Sequence, residues 1–137
     1  MTHTQPHSPR PDMAPRVALV GHCGPDAHAL TSAIKGVLAG ATIDRLDRRD
    51  AFDERKGSYD LLVVNRVLDG DYGDASGIGL IRGLGEGDPP AMLISNYPES
   101  IKESVAAGAA RGFGKAEMRS ETAAAALRDA LGIAPGS

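Results

Sequence analysis

The sequence has a single cysteine, Cys23, and no tryptophan among its 137 residues. One cysteine excludes an internal disulfide and cannot on its own supply the thiolates of a structural zinc site. No run of apolar residues comes near the roughly 18 that a membrane-spanning helix requires. A chain of this length can bury one hydrophobic core, so we expect a single globular domain with no membrane partner.

Basic charge is not in excess, because 18 acidic residues outnumber 15 basic ones and the formal net charge is -3. The densest basic stretch, "RLDRRDAFDERK" at 45–56, holds five basic and four acidic residues and is typical of a solvated helix surface. Proteins that bind nucleic acid in general present a basic face. We therefore expect no nucleic-acid partner.

The two ends of the chain differ in composition from the middle. Residues 1–15, "MTHTQPHSPRPDMAP", hold four prolines and two histidines and little that is apolar, which predicts a disordered tail. They also lack the apolar core of a secretory signal, which favours a cytoplasmic protein. Residues 133–137 are expected to fray, which leaves 16–132 as the folded domain.

Between these ends, short apolar runs alternate with longer amphipathic ones. The pattern predicts strands at 17–20, 41–46, 59–65, 90–95 and 111–115, and helices at 26–40, 48–57, 76–84, 99–109 and 120–132. Five strand–helix pairs in strict alternation predict a doubly wound α/β domain, with a parallel sheet covered by helices on both faces. Asp26 is the predicted N-cap of the first helix, and Gly40 its C-terminal stop.

The polar residues that end the strands are the candidate functional residues, because ligands of such sheets bind beyond the carboxyl ends of the strands. They are His22, Asn65, Ser95 and Lys115, together with the strand-end position Gly21. An acyl-phosphate site would need a carboxylate at 65, a hydroxyl at 95, an ammonium at 115 and acids at 21 and 22 to hold a divalent metal. Only Ser95 and Lys115 match that requirement.

Three motifs on these elements give the chain a family resemblance. They are "DLLVVN" at 60–65, "AMLIS" at 91–95 and "GAARGFGKA" at 108–116. In these motifs, over about 16–132, the chain resembles the receiver domains of two-component response regulators. The resemblance implies a five-stranded flavodoxin-like (βα)5 fold with strand order 2-1-3-4-5.

The resemblance also assigns places to individual residues. It puts Asn65 at the phosphoacceptor, Ser95 and Gly112 at the switch hydroxyl and switch aromatic, Lys115 at the family lysine, and Gly21 and His22 at the acidic pair. An amide nitrogen is a poor nucleophile and forms no acyl phosphate, and a divalent ion would lack its acidic ligands. We therefore expect a degenerate, pseudo-receiver type with no catalytic residue, no metal and no cofactor.

Two contacts are expected within this layout. Lys115 has no carboxylate at residue 65 to pair with, so it should reach the Asn65 side-chain oxygen or an acid of the longer-than-usual connection "RVLDGDYGDASG" at 66–77. Phe113, one place beyond the switch position, should point into the core.

Two hypotheses about function follow. The first is a non-enzymatic signalling module, not phosphorylated at residue 65, that binds a protein partner through the face formed by residues 97–131; a homodimer stays open. The second is a small-ligand or anion-binding domain that uses Ser95 and Lys115 in the strand-end crevice.

Other chemistries fit the sequence less well. A phosphatase loop would need arginine six residues after Cys23, where the chain has Ala29. The glycines of 77–83 lie too far beyond their strand to form a dinucleotide fingerprint. The acidic segment 69–74 lacks the ligand spacing of an EF-hand, although its capacity to bind another cation stays open.

Overall fold

The structure, a computed structural model, describes residues 14–133. It contains one five-stranded parallel sheet with the order β2-β1-β3-β4-β5, so the predicted fold class and strand order are confirmed. The strands are β1 (Arg16–Val20), β2 (Thr42–Leu46), β3 (Leu61–Asn65), β4 (Ala91–Ile94) and β5 (Ala110–Phe113). The helices are α1 (Gly24–Val37), α2 (Arg49–Arg55), α3 (Gly77–Arg82), α4 (Pro98–Ala106) and α5 (Glu121–Leu131), with short 3₁₀ turns at Lys56–Ser58 and Lys115–Glu117.

The predicted disordered tail falls almost entirely outside the described residues, as do the last four residues of the predicted frayed end. Within the described part of the chain, no helix combines the length and apolar character needed to cross a membrane.

The central strand β3 is buried at every position, because the sheet is packed on both faces. Leu61 and Val63 belong to one core cluster, and Leu62 and Val64 belong to the other. Successive side chains of a strand point to opposite faces of the sheet, so a strand that is covered on both faces needs apolar residues at successive positions. The strand therefore carries Asn65, its last residue, to the carboxyl edge of the sheet.

Helix α1 begins two residues earlier than predicted, and its N-cap is Cys23 rather than Asp26. Pro25 occupies the first turn, where its missing N–H costs nothing. The predicted stop at Gly40 was also wrong, because the helix ends at Val37 with Leu38 as its C-cap. Asp26 lies in the first turn and its carboxylate is available for a contact elsewhere in the domain.

Strands β4 and β5 are joined through a bulge. Met92 is paired with Ala110 and Ile94 with Phe113, so β5 carries one more residue than β4 between the two pairs. A Cβ atom at Gly112 would overlap the carbonyl oxygen of Leu93 and lie 2.8 Å from its carbon. The bulge thus requires glycine at residue 112, which explains why the switch aromatic is missing there.

Candidate functional site

The carboxyl ends of β3, β4 and β5 enclose a crevice of about 150 Å³. It brings together three of the residues predicted from the sequence, Asn65, Ser95 and Lys115. Gly112 instead lines a separate groove of about 380 Å³ on the α4–α5 side, which it shares with Ser95. Ser95 therefore lines both the crevice and the groove, whereas Gly112 lines the groove and not the crevice.

Asn65 is held by two hydrogen bonds that its side-chain amide donates. Its Nδ2 donates to the carbonyl oxygen of Gly21 at 3.0 Å and to that of Val67 at 2.7 Å, and the residue is 8% exposed. The side chain thus ties the end of β1 to the connection after β3. A carboxylate has no proton to donate and would face both carbonyl oxygens. The amide at this position is therefore a structural link.

Gly21, the first position of the predicted acidic pair, has a backbone that disfavours an acid. Its φ is +74°, in the left-handed region that favours glycine. A Cβ there would lie 2.5 Å from Leu68 Cδ2 and 3.0 Å from Leu68 Cα. The Gly21 carbonyl also accepts a hydrogen bond from the Asp69 backbone N–H at 2.8 Å. The connection after β3 therefore packs against the backbone of residue 21 and is hydrogen-bonded to it.

That longer connection folds back over the ends of β1 and β2. The Asp71 N–H donates to the Asp47 carbonyl at 2.8 Å, and the Arg49 N–H donates to the Asp71 carbonyl at 2.9 Å. The Tyr72 hydroxyl donates to the Leu46 carbonyl, and burial raises the pKa of Tyr72. Backbone thus covers the sheet edge where an acidic pair would meet a metal, and residues 14–133 contain no group of three or more potential ligands placed to hold one.

His22, the second position of the predicted acidic pair, is a core residue with 1% exposure. Its Nε2 lies 2.9 Å from the Val63 carbonyl and donates to it, whereas Nδ1 has no hydrogen-bond partner among the described residues. Burial, together with the positive charges of Lys115 and Arg45, lowers the pKa of His22 to about 4. The imidazole is neutral near neutral pH and links β1 to β3.

Lys115 forms an ion pair with Asp26, and both partners predicted for it were wrong. Its Nζ lies 2.7 Å from Asp26 Oδ2, and each side chain is 31% exposed. The hydrogen bond from Lys115 lowers the pKa of the Asp26 carboxyl. The acids of 69–74 were not available, because their connection is folded toward β2.

Asp26 is the site residue that sequence reasoning missed. Its position between Pro25 and an apolar helical pattern is typical of a cap, and its partner is 89 residues away in the sequence. A signal was nevertheless present, because a helix that follows a strand directly begins at the carboxyl edge of the sheet. Acids in the first turn of α1 were therefore candidates for that edge.

Ser95 helps to shape the connection after β4. Its Oγ accepts a hydrogen bond from the Tyr97 backbone N–H at 3.0 Å. The Tyr97 ring is 61% exposed and lies under the guanidinium of Arg66, with 4.9 Å from Cζ to the ring centroid. On the neighbouring strand, Phe113 is 2% exposed within the core, as predicted. The switch hydroxyl is therefore present, and the ring on the neighbouring strand β5 is buried in the core.

No protein-family model matches the sequence, and no curated protein matches it. Solved structures do match the fold. The structure is similar to that of FixJ-N at a TM-score of 0.68 and 20% identity, over 89% of this chain and 97% of that one. The chain has the receiver fold.

Two further receiver domains show the same likeness. The signal receiver domain of a DNA-binding response regulator (MerR) from Colwellia psychrerythraea 34H aligns at a TM-score of 0.67 and 11% identity, over 85% of this chain and 98% of that one. The BeF3-activated DrrB receiver domain aligns at 0.65 and 15% identity, over 88% of this chain and 99% of that one. At these identities the likeness establishes the fold, and the chemistry must be argued from the residues of the crevice.

Proposed function

We propose that this receiver-fold domain is a non-enzymatic signalling module of the cytoplasm that binds a protein partner and is not phosphorylated at residue 65. The amide of Asn65 supports this, because it donates both of its hydrogen bonds to backbone carbonyls. It offers no carboxylate that could accept a phosphoryl group. The left-handed backbone of Gly21 and the buried, neutral His22 support it further, because neither position offers a carboxylate to a metal.

The partner would bind the face formed by residues 97–131, and the exposed apolar side chains are the observation that carries this assignment. The described residues include three large hydrophobic side chains classed as exposed, and two of them, Tyr97 at 61% and Val105 at 44%, belong to this face. A groove of about 440 Å³ also runs along β5 and α5, lined by small residues such as Ala125 and Ala126. Exposed apolar side chains on a surface are typical of protein-binding sites.

The alternative, an anion-binding domain, has less support. Its main cationic group, Lys115, is already neutralised by Asp26 at 2.7 Å. The alternative would also need Asn65 to offer donors to a ligand, and both of its N–H groups are engaged.

The test compares two valines that differ in position. Val105 lies on α4 within the proposed face, and Val67 is 61% exposed but outside it. We expect Val105→Asp to reduce capture of the native partner from cell extract by roughly tenfold or more, because a charge at an apolar contact is left desolvated. Val67→Asp should capture the partner as the unmodified chain does, with or without acetyl phosphate and Mg²⁺. Equal capture by the two variants, or a loss confined to Val67→Asp, would refute the assignment.

A further inference from the structure

Lys115 lines the crevice, and its ammonium has an internal acid as its partner. Asp26 reaches it from the first turn of α1, across a sequence separation of 89 residues, and makes a 2.7 Å contact. The two side chains are equally exposed, at 31% each, so the pair is partly open to solvent rather than deep in the core. A carboxylate oxygen thus already occupies one hydrogen-bonding position of the Lys115 ammonium, for which an external anion would have to compete.

Several hydrogen-bond donors in the crevice remain unused. A lysine ammonium has three N–H groups, and one of those of Lys115 is directed at Asp26. The Ser95 oxygen accepts from Tyr97, which leaves its own proton to donate. Arg66 also lines the crevice and forms no ion pair with another described residue. With Asp26 neutralised, two uncompensated cations and a hydroxyl would face a space of about 150 Å³.

We infer that Asp26 is a built-in counter-ion that keeps small oxyanions out of the crevice, and that its removal opens a site for a tetrahedral oxyanion at Lys115, Ser95 and Arg66. A negative charge fixed beside the ammonium cancels most of the attraction that an entering anion would feel. It also competes directly for the donors of Lys115. Asp26 thereby fixes the turn that follows β5 to the start of α1.

The experiment titrates inorganic phosphate into the full chain at constant ionic strength and follows the backbone amide resonances of the crevice. Four proteins are compared: the unmodified chain, Asp26→Asn, the double variant Asp26→Asn with Lys115→Met, and Asp129→Asn. Asp129 is an exposed acid near the end of α5, so its replacement makes the same change of net charge away from the crevice. We expect Asp26→Asn to bind phosphate roughly tenfold or more tightly than the unmodified chain. Asp129→Asn should behave like the unmodified chain, and the double variant should lose the gain.

Two results would overturn the inference: equal affinity of the unmodified chain and Asp26→Asn, or no saturable binding by Asp26→Asn. If Asp26→Asn does not fold, a second measurement tests the inference. The Asp26 carboxyl is titrated by carbon NMR in the unmodified chain and in Lys115→Met, where its lowered pKa should return toward the ordinary value. A pKa unchanged by that substitution would equally overturn the inference. Neither measurement involves a protein partner, so the outcome is separate from that of the proposed function.

Discussion

We expect the replacement of Asn65 by aspartate to destabilise the domain by about 2–4 kcal/mol, rather than to restore a phosphoacceptor. The substitution removes the two hydrogen bonds from Nδ2 to the carbonyls of Gly21 and Val67. It also places carboxylate oxygens against those carbonyl oxygens in a site that is 8% exposed. The free energy of unfolding, measured by urea denaturation and circular dichroism, is the readout.

The pH dependence of this loss gives a second signature. A protonated aspartate can donate one hydrogen bond, whereas an ionised one can donate none. The folded state therefore raises the pKa of the new carboxyl, and the loss relative to the unmodified chain should grow as the pH rises through that pKa.

Asn96→Asp is the matched control for this substitution. The exposed Asn96 accepts a hydrogen bond from the Ala116 N–H through Oδ1 at 3.1 Å, and a carboxylate can accept the same bond. Its stability should change by no more than about 0.5 kcal/mol. If Asn65→Asp were as stable as Asn96→Asp, the amide would not be the structural link described above.

The second large effect is expected at Gly112. Alanine there should destabilise the domain by about 3 kcal/mol or more, because its Cβ would overlap the Leu93 carbonyl and force the bulge between β4 and β5 apart. Restoring the family's aromatic at this position should be at least as damaging, since its ring is attached through the same Cβ. Thermal and urea unfolding measure the loss.

A second glycine provides the control. Gly36 is exposed in α1, and a Cβ there meets nothing within 4 Å. Gly36→Ala should leave the domain unchanged or stabilise it by up to about 1 kcal/mol, through higher helix propensity. Similar stabilities for Gly112→Ala and Gly36→Ala would show that the bulge does not need glycine.

Periodicity was sufficient to locate the five strands, and the family resemblance supplied their order in the sheet. The apolar strand predicted at 59–65 is β3 at the centre of the sheet, and the strand predicted at 41–46, where polar and apolar residues alternate, is β2 at its edge. Both patterns report burial on one or two faces, which is a property of neighbours along the sequence. The strand ends followed directly, so Asn65, Ser95 and Lys115 were correctly placed in one crevice.

The parts that sequence reasoning missed depend on contacts between distant segments. The pairing of Asp26 with Lys115 requires two elements to meet, and periodicity carries no information about such a meeting. The role of Gly112 rests on a bulge whose signal, an isolated glycine in a strand, was interpreted only as a missing aromatic. The connection 66–77 was recognised as long, but its fold over the end of β2 was not predicted.

The most direct test of the account is the mass of the intact chain after incubation with acetyl phosphate and Mg²⁺, alongside a receiver domain that carries an aspartate phosphoacceptor. We predict an unchanged mass for this chain and a phosphoryl adduct on the control, because residue 65 is an amide whose hydrogen atoms are engaged and the positions of the acidic pair hold Gly21 and His22. An acid-stable, base-labile adduct on this chain, whether in the crevice or in the 69–74 loop, would contradict the account of a module that works without phosphorylation.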